Sequence, residues 1–236
     1  MKIPILIAKY HNNNIMNKVT NTLILFFLLF TSGAFAQKVE RSNLHKLLKH
    51  EKLNIVNREA KAIDSTQFNY IKLSEKKGEG IVWLPIKDFK NGTIKIEMRG
   101  KNVYRKSFIG IAFHGENDTT YDAVYCRPAN FFAKDSIIRT YAIQYVSHPF
   151  YTWKKIRELK EKSYEKEITN PPNPNGWFKM TLVIDNKIIK AFINDAKEPS
   201  LEFQKLSNNP NGKVGIFVGD DSGGDFSNVV VKHSKY

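Results

Sequence analysis

The sequence predicts an all-β fold, two antiparallel sheets packed as a sandwich, on three observations. Ten short runs carry alternating or β-branched character, turn chemistry separates them, and helical periodicity is confined to one short stretch at 43–53. The runs are 68–73, 80–84, 92–100, 107–114, 121–127, 139–146, 177–184, 188–194, 213–219 and 226–232. Asp88-Phe89-Lys90-Asn91-Gly92, Asp185-Asn186 and Asn208-Asn209-Pro210-Asn211-Gly212 supply the turns, since Asn and Gly tolerate positive φ.

Within the runs, alternation assigns faces. Ile94, Ile96 and Met98 share one side of their strand, and Lys95, Glu97 and Arg99 share the other. In the next run Ile109, Ile111 and Phe113 form the core side, with Phe108, Gly110, Ala112 and His114 opposite. Val124 and Cys126 alternate with Ala123, Tyr125 and Arg127, and Ala142 shares a face with Gln144. Small residues beside planar polar ones read as the floor of a groove. The section 147–176 breaks the strand rhythm, because Pro171, Pro172 and Pro174 prevent a continuous helix. Residues 154–167 are charge-rich and expected to be partly helical. A long loop of this kind usually caps a site, which would set His148, Tyr151, Trp153 and Arg157 over the groove.

The first 36 residues read as an export signal. Lys18 precedes an apolar run at 23–30, and Gly33-Ala34-Phe35-Ala36 gives an A-x-A cleavage pattern before Gln37. Met16 is the better-proportioned start. The apolar run is shorter than the roughly 20 residues of a transmembrane helix, and no later segment approaches that length. Three parts are therefore expected: signal 1–36, an N-terminal segment 37–60, and a sandwich domain 61–236, secreted or periplasmic. The single cysteine, Cys126, excludes an intrachain disulfide and a lipid-anchored mature N-terminus. Loss of the signal removes Lys2, Lys9 and Lys18 and no acid, lowering the net charge from +14 to +11. A basic exported chain suits a polysaccharide or envelope polymer better than nucleic acid, for which no binding motif is present.

The block 108–153 brings together His114, Tyr125, Arg127, Gln144, Tyr145, His148, Tyr151 and Trp153. Rings stack on the apolar faces of sugars, while guanidinium and amide groups satisfy several hydroxyls directionally. Carbohydrate is the expected partner. No zinc spacing links His114, His148 and His233, and the Gly-rich turn at 219–224 lacks the Lys-Ser/Thr ending of a phosphate loop. No cofactor is expected, with Ca²⁺ at Asp220, Asp221 and Asp225 as the alternative to a turn-stabilising role for these carboxylates.

Longer strings carry a family resemblance. Gly92-Thr93-Ile94 with Arg99-Gly100, Phe108-Ile109-Gly110-Ile111-Ala112-Phe113-His114, Tyr121-Asp122-Ala123-Val124-Tyr125 with Arg127-Pro128, and Ala142-Ile143-Gln144-Tyr145-Val146 with Pro149 lead into Trp177-Phe178. Gly212-Lys213-Val214-Gly215-Ile216-Phe217-Val218-Gly219 and Gly224-Asp225-Phe226-Ser227-Asn228 follow. Over roughly residues 60–233 the chain resembles concanavalin A-like lectin/glucanase domains of exported bacterial proteins, a group that includes 3-keto-disaccharide hydrolase-like domains. The resemblance implies a curved jelly roll whose concave face receives a saccharide, with Arg99, His114, Tyr125, Arg127 and Gln144 as contacts. Tyr145, His148, Trp153 and Arg157 complete the expected ligand-binding set. Glucanases of this superfamily carry alternating carboxylates on one strand, whereas the comparable strand here offers Glu97 alone. Retaining hydrolysis needs two carboxyl groups about 5 Å apart, so catalytic residues stay unassigned. A hydrolase or lyase and a non-catalytic envelope scaffold stand as the alternatives to a binding protein.

Overall fold

The computed structural model describes residues 37–159 and 162–234; the expected signal and the alternative start at Met16 lie outside them. In chain order the strands are β1 (Val39–Asn43), β2 (Asn54–Val56), β3 (Ala60–Ile63), β4 (Tyr70–Leu73), β5 (Gly80–Trp83), β6 (Gly92–Arg99), β7 (Ile109–Gly115) and β8 (Tyr121–Cys126). They continue as β9 (Ile143–His148), β10 (Glu165–Lys166), β11 (Trp177–Asp185), β12 (Ile188–Ile193), β13 (Leu201–Gln204), β14 (Lys213–Val218) and β15 (Gly224–His233). Short helices are α1 (Leu44–Lys49), α2 (Ser136–Arg139) and α3 (Trp153–Glu158).

The strands form two antiparallel sheets. Sheet A runs β13-β12-β11-β6-β15-β4-β3, with β1 also paired to β15, and sheet B runs β10-β9-β8-β7-β14-β5-β2. The core lies between them. Ile94, Ile96 and Met98 of β6 point inward, while Thr93, Lys95, Glu97 and Arg99 are half-buried on the outer face. Strand β11 repeats this, with Phe178, Met180, Leu182 and Ile184 inside and Trp177, Lys179, Thr181 and Val183 outside. In sheet B every residue of β7 and β8 is buried. That sheet is covered on its outer side too, and α3, whose Ile156 is wholly buried, packs against β9.

Differences from the sequence reading have local causes. The run at 139–146 enters its strand only at Ile143, because the Asp135 carboxylate accepts from the Ile137 N–H and starts α2. Helix α1 begins where expected, with Asn43 accepting from the Lys46 N–H, but ends at Lys49. Strands β1, β2, β3, β10 and β13 lie outside the runs read from the sequence. Residues 37–60, read as a segment ahead of the sandwich, pair into it through β1 on β15, β2 on β5 and Ala60 on β4. The irregular section 147–176 holds α3 and β10.

One irregularity decides the fate of a predicted site residue. Ala112 pairs with Gly215 and Gly115 with Lys213, so β7 carries one more residue than β14 between these points. This bulge puts His114 at φ 49° and breaks the alternation. His114 therefore joins Phe113 inside the sandwich, against the rings of Phe113 and Phe89.

Candidate functional site on the outer face of sheet B

The register Gly110↔Tyr125↔Gln144↔Glu165 sets these residues in one row across β7, β8, β9 and β10. Gly110 is required there, since a Cβ would fall 2.0 Å from the Val124 carbonyl oxygen. The Tyr125 ring packs against Phe217 at 5.2 Å and Phe108 at 6.1 Å. Above this floor lies Arg127, its guanidinium carbon 4.9 Å from the Tyr125 ring centre and 5.5 Å from that of Phe108.

Arg127 is held from every side. Its Nη1 donates to the Tyr141 carbonyl at 2.7 Å and its Nη2 to the Tyr125 hydroxyl at 2.8 Å and to Gln144 Oε1. The Tyr125 hydroxyl donates to the same Gln144 oxygen at 2.6 Å. Because a guanidinium can only donate, the amide must present its oxygen to Arg127, which leaves the buried Gln144 Nε2 without a partner among the described residues. Burial pushes the Tyr125 phenol up to about 12 against the opposing Arg127 charge, with Glu165 and Glu79 raising it further.

Glu165 joins this layer to the surface. It lies 3.5 Å from Arg127 Nη1 and receives Nε and Nη2 of Arg157, both at 2.7 Å. The bidentate bond holds the Arg157 guanidinium above its usual range. That guanidinium lies flat on Tyr141, 3.9 Å from the ring centre, and 5.2 Å from the Trp153 ring. The Arg157 side chain is 35% exposed and Trp153 is 49% exposed, whereas the Glu165 side chain is 9% exposed. The cluster is thus a buried stack that opens to water at Arg157 and Trp153.

A second group sits farther along the same face. Trp83 lies over Gly115 and Gly215; a Cβ on Gly115 would fall 2.3 Å from the indole. Its Nε1 donates to Asp118 at 2.8 Å. Tyr121 donates to Glu79 Oε2 at 2.8 Å, and burial followed by the Glu79 charge drives its phenol strongly upward. His148 stacks on Tyr121 at 4.9 Å, and its Nε2 is 3.2 Å from Glu79 Oε1 without hydrogen-bond geometry.

Of the residues predicted for the site, Tyr125, Arg127, Gln144, His148, Trp153 and Arg157 lie on or over this face. Three do not. Tyr145 is wholly buried between the sheets, stacked at 4.2 Å on Phe203 of sheet A, and donates to Asp122 at 2.6 Å. Adjacent residues of a strand face opposite ways, so Gln144 and Tyr145 cannot both line a groove. His114 is likewise enclosed: Lys205 Nζ donates to Nδ1 at 2.8 Å and Nε2 lies 2.8 Å from the Lys90 carbonyl. Burial and the Lys205 charge lower it to about 4, so it is neutral at physiological pH. Arg99 belongs to β6, on the outer face of sheet A.

The expected Ca²⁺ alternative finds no suitable donor set. Asp220 accepts from the Gly78 N–H at 2.6 Å, Asp221 faces Lys106 at 3.4 Å and Asp225 is bound by Arg99. Among the described residues no three His, Cys, Asp or Glu are grouped to hold a metal ion. Burial raises the Cys126 thiol, which is enclosed and inert. Two surface depressions, about 400 Å³ by Lys166 and Glu198 and about 480 Å³ by Arg41 and His50, are shallow and apart from the stack. Sequence reasoning missed Glu165, Tyr141, Phe108 and Glu79. Only Phe108 carried a signal, through its place opposite the core residues of its run.

No protein-family model matches the chain, and no curated protein matches it. Solved structures do. A Bacillus subtilis protein of unknown function with a galectin-like fold is 11% identical, with a TM-score of 0.52 over 84% of this chain and 98% of that one. The carbohydrate binding module CBM66 from Bacillus subtilis is 12% identical, with a TM-score of 0.52 over 78% and 96%. The exoplasmic/lumenal domain of VIP36 in its Ca²⁺/Man3GlcNAc-bound form is 10% identical, with a TM-score of 0.52 over 78% and 85%. At these identities the likeness establishes the fold: a lectin-type jelly-roll sandwich.

Proposed function

We propose that this is an exported carbohydrate-binding protein that takes an oligo- or polysaccharide on the outer face of sheet B. The observation that carries this is the half-exposed Arg157, locked flat on Tyr141 by two bonds to Glu165 and flanked by exposed Trp153. A guanidinium fixed this way loses little freedom when it binds a sugar hydroxyl, and the adjacent indole gives a stacking face. Arg127 and Arg157 against Glu165 give the cluster one net positive charge, which also suits an acidic sugar. Sandwiches of similar fold whose names state carbohydrate binding or a bound mannose glycan support the ligand class. The signal-like residues 1–36 support export, and no helix among the described residues is long and apolar enough to cross a membrane.

A glycan-array screen of the chain from Gln37, followed by mass spectrometry of each bound glycan, tests the reading. Binding of an intact glycan that Trp153→Ala weakens supports it; no binding to any glycan overturns it. A glycan-active enzyme, including the keto-sugar hydrolases that the chain resembles, is the second reading. It is favoured by Glu79 on the same face, whose carboxylate accepts from Tyr121 at 2.8 Å and lies 3.2 Å from His148 Nε2. A mass change in the bound glycan, abolished by Glu79→Gln, would establish it.

A further inference from the structure

The outer face of sheet A carries a cluster that the sheet B site does not use. In an otherwise charged and hydroxylic surface of Lys95, Glu97, Lys179 and Thr181, three aromatic rings converge on one ion pair. Register places Trp177, Arg99 and Asp225 in one row across β11, β6 and β15. Tyr70 of β4 meets Trp177 edge-on at 5.3 Å, and Phe68 meets it edge-on at 5.0 Å. The Arg99 guanidinium carbon lies 5.1 Å from the Trp177 ring centre and 5.5 Å from that of Tyr70.

Cross-strand aromatic pairing explains why such rings adhere to a sheet, but not why the ion pair is half used. Arg99 Nε and Nη2 both donate to one oxygen, Asp225 Oδ2, at 2.9 and 2.7 Å, and Nη2 is 3.4 Å from the Tyr70 hydroxyl. Among the described residues the side-chain hydrogen bonds of Arg99 run through Nε and Nη2, not Nη1, and Asp225 Oδ1 is buried without a partner. Arg99 thus offers a donor beside the aromatic edges, with its side chain one-third exposed and Phe68 37% exposed, while the part-buried Asp225 carboxylate holds the guanidinium in place. A sugar hydroxyl can accept from such a donor while the apolar face of the ring packs on the aromatic side chains. Arg99 and Asp225 cancel in charge, which distinguishes this cluster from the net-positive one on sheet B.

We infer that the outer face of sheet A holds a second saccharide site, in which a neutral sugar ring packs on Trp177 and Phe68 and accepts a hydrogen bond from Arg99, which Asp225 holds in place. The ligand class rests on the proposed function; the location does not. Sites on opposite outer faces of one sandwich engage two glycan chains, so the protein cross-links or gains avidity on a polymer.

The chain contains three tryptophans, and their indole N–H resonances report separate places: Trp177 on sheet A, Trp153 on α3, Trp83 on sheet B. The isotope-labelled mature protein is titrated with neutral hexasaccharides of β-glucan, xylan, mannan and levan, and with oligogalacturonate. The expected result is that a neutral hexasaccharide moves the Trp177 resonance. Trp177→Ala should then weaken that binding about tenfold or more while any Trp153 shift persists. Phe68→Ala, at an exposed position, should weaken it also, with an unchanged thermal midpoint that separates binding from folding. If Trp153 moves and Trp177 stays still with every sugar, the second site is overturned and the sheet B reading stands. If Trp177 alone moves, the second site stands and the sheet B reading fails. If neither moves, both fail.

Discussion

Strands β8 and β9 carry two polar clusters on opposite faces, built from alternate residues of the same segments, and the clusters differ in how they end. Inside the sandwich, Asp122 accepts from Tyr145 and Ser207, both at 2.6 Å, and lies 3.7 Å from Lys205 Nζ, which reaches His114 and the Asn209 carbonyl. Every charge there is answered by a neighbour, and the Asp122 and Lys205 side chains are 0% and 3% exposed. On the outer face, Tyr125, Gln144, Arg127 and Glu165 form an equally dense stack, but it runs out to Arg157 and Trp153 at the surface. The inner cluster ties the chain after β13 to sheet B; the outer one presents donors and a ring to solvent. Density of polar contacts alone therefore does not separate the two clusters; what separates them is whether a held group reaches water.

The sharpest way to break this contrast is Asp122→Ala. It leaves Lys205 buried and uncompensated, so unfolding free energy should fall by about 3–5 kcal/mol in denaturant titration, with glycan affinity of the folded fraction unchanged. Next in size is the pH response of His114. Burial and the Lys205 charge lower the folded imidazole to about 4, below the ordinary histidine value of 6.5, so the unfolded chain binds more protons between these limits. The stability from neutral His114, facing Lys205 and Asp122, is therefore full above 6.5 and lost as pH falls toward 4, by about 3 kcal/mol. His114→Asn should flatten that slope when stability is followed from pH 7 to 4. Tyr145→Phe removes a buried hydroxyl bonded to Asp122 and to the Leu206 N–H at 3.0 Å. It should cost about 1–3 kcal/mol of stability and nothing in glycan affinity, measured by calorimetry on the same sample. Trp153→Ala should do the reverse, weakening glycan binding by roughly 1–3 kcal/mol while stability stays within about 0.5 kcal/mol.

The sandwich was legible because alternation in β6 and β11 is uninterrupted: Ile94, Ile96 and Met98, then Phe178, Met180, Leu182 and Ile184, all enter the core. The candidate face was legible in part. Tyr125 and Arg127 keep the parity that their strand predicts, and Trp153 and Arg157 lie on α3 over the same sheet. His114 was misplaced because a one-residue bulge reverses parity, and nothing in Phe113-His114-Gly115 reveals how many residues its partner strand contributes. Arg99 has the right parity on the wrong sheet, since alternation tells in from out but not which of two outer faces a strand supplies. Glu165 gave no signal at all: its role depends on a two-residue pairing with Gln144 and Ile143 across an irregular section.

The central claim, that the outer stack binds glycan and the inner one does not, is tested most directly by one paired measurement on Arg157→Lys, which keeps a cation beside the largely buried Glu165 but loses the planar fork: calorimetric affinity for the array's best-bound glycan, with the unfolding midpoint of the same preparation. Affinity reduced about tenfold or more with the midpoint near that of the wild type is the result predicted. Wild-type affinity, or a loss of affinity accompanied by collapse of the midpoint, would contradict it.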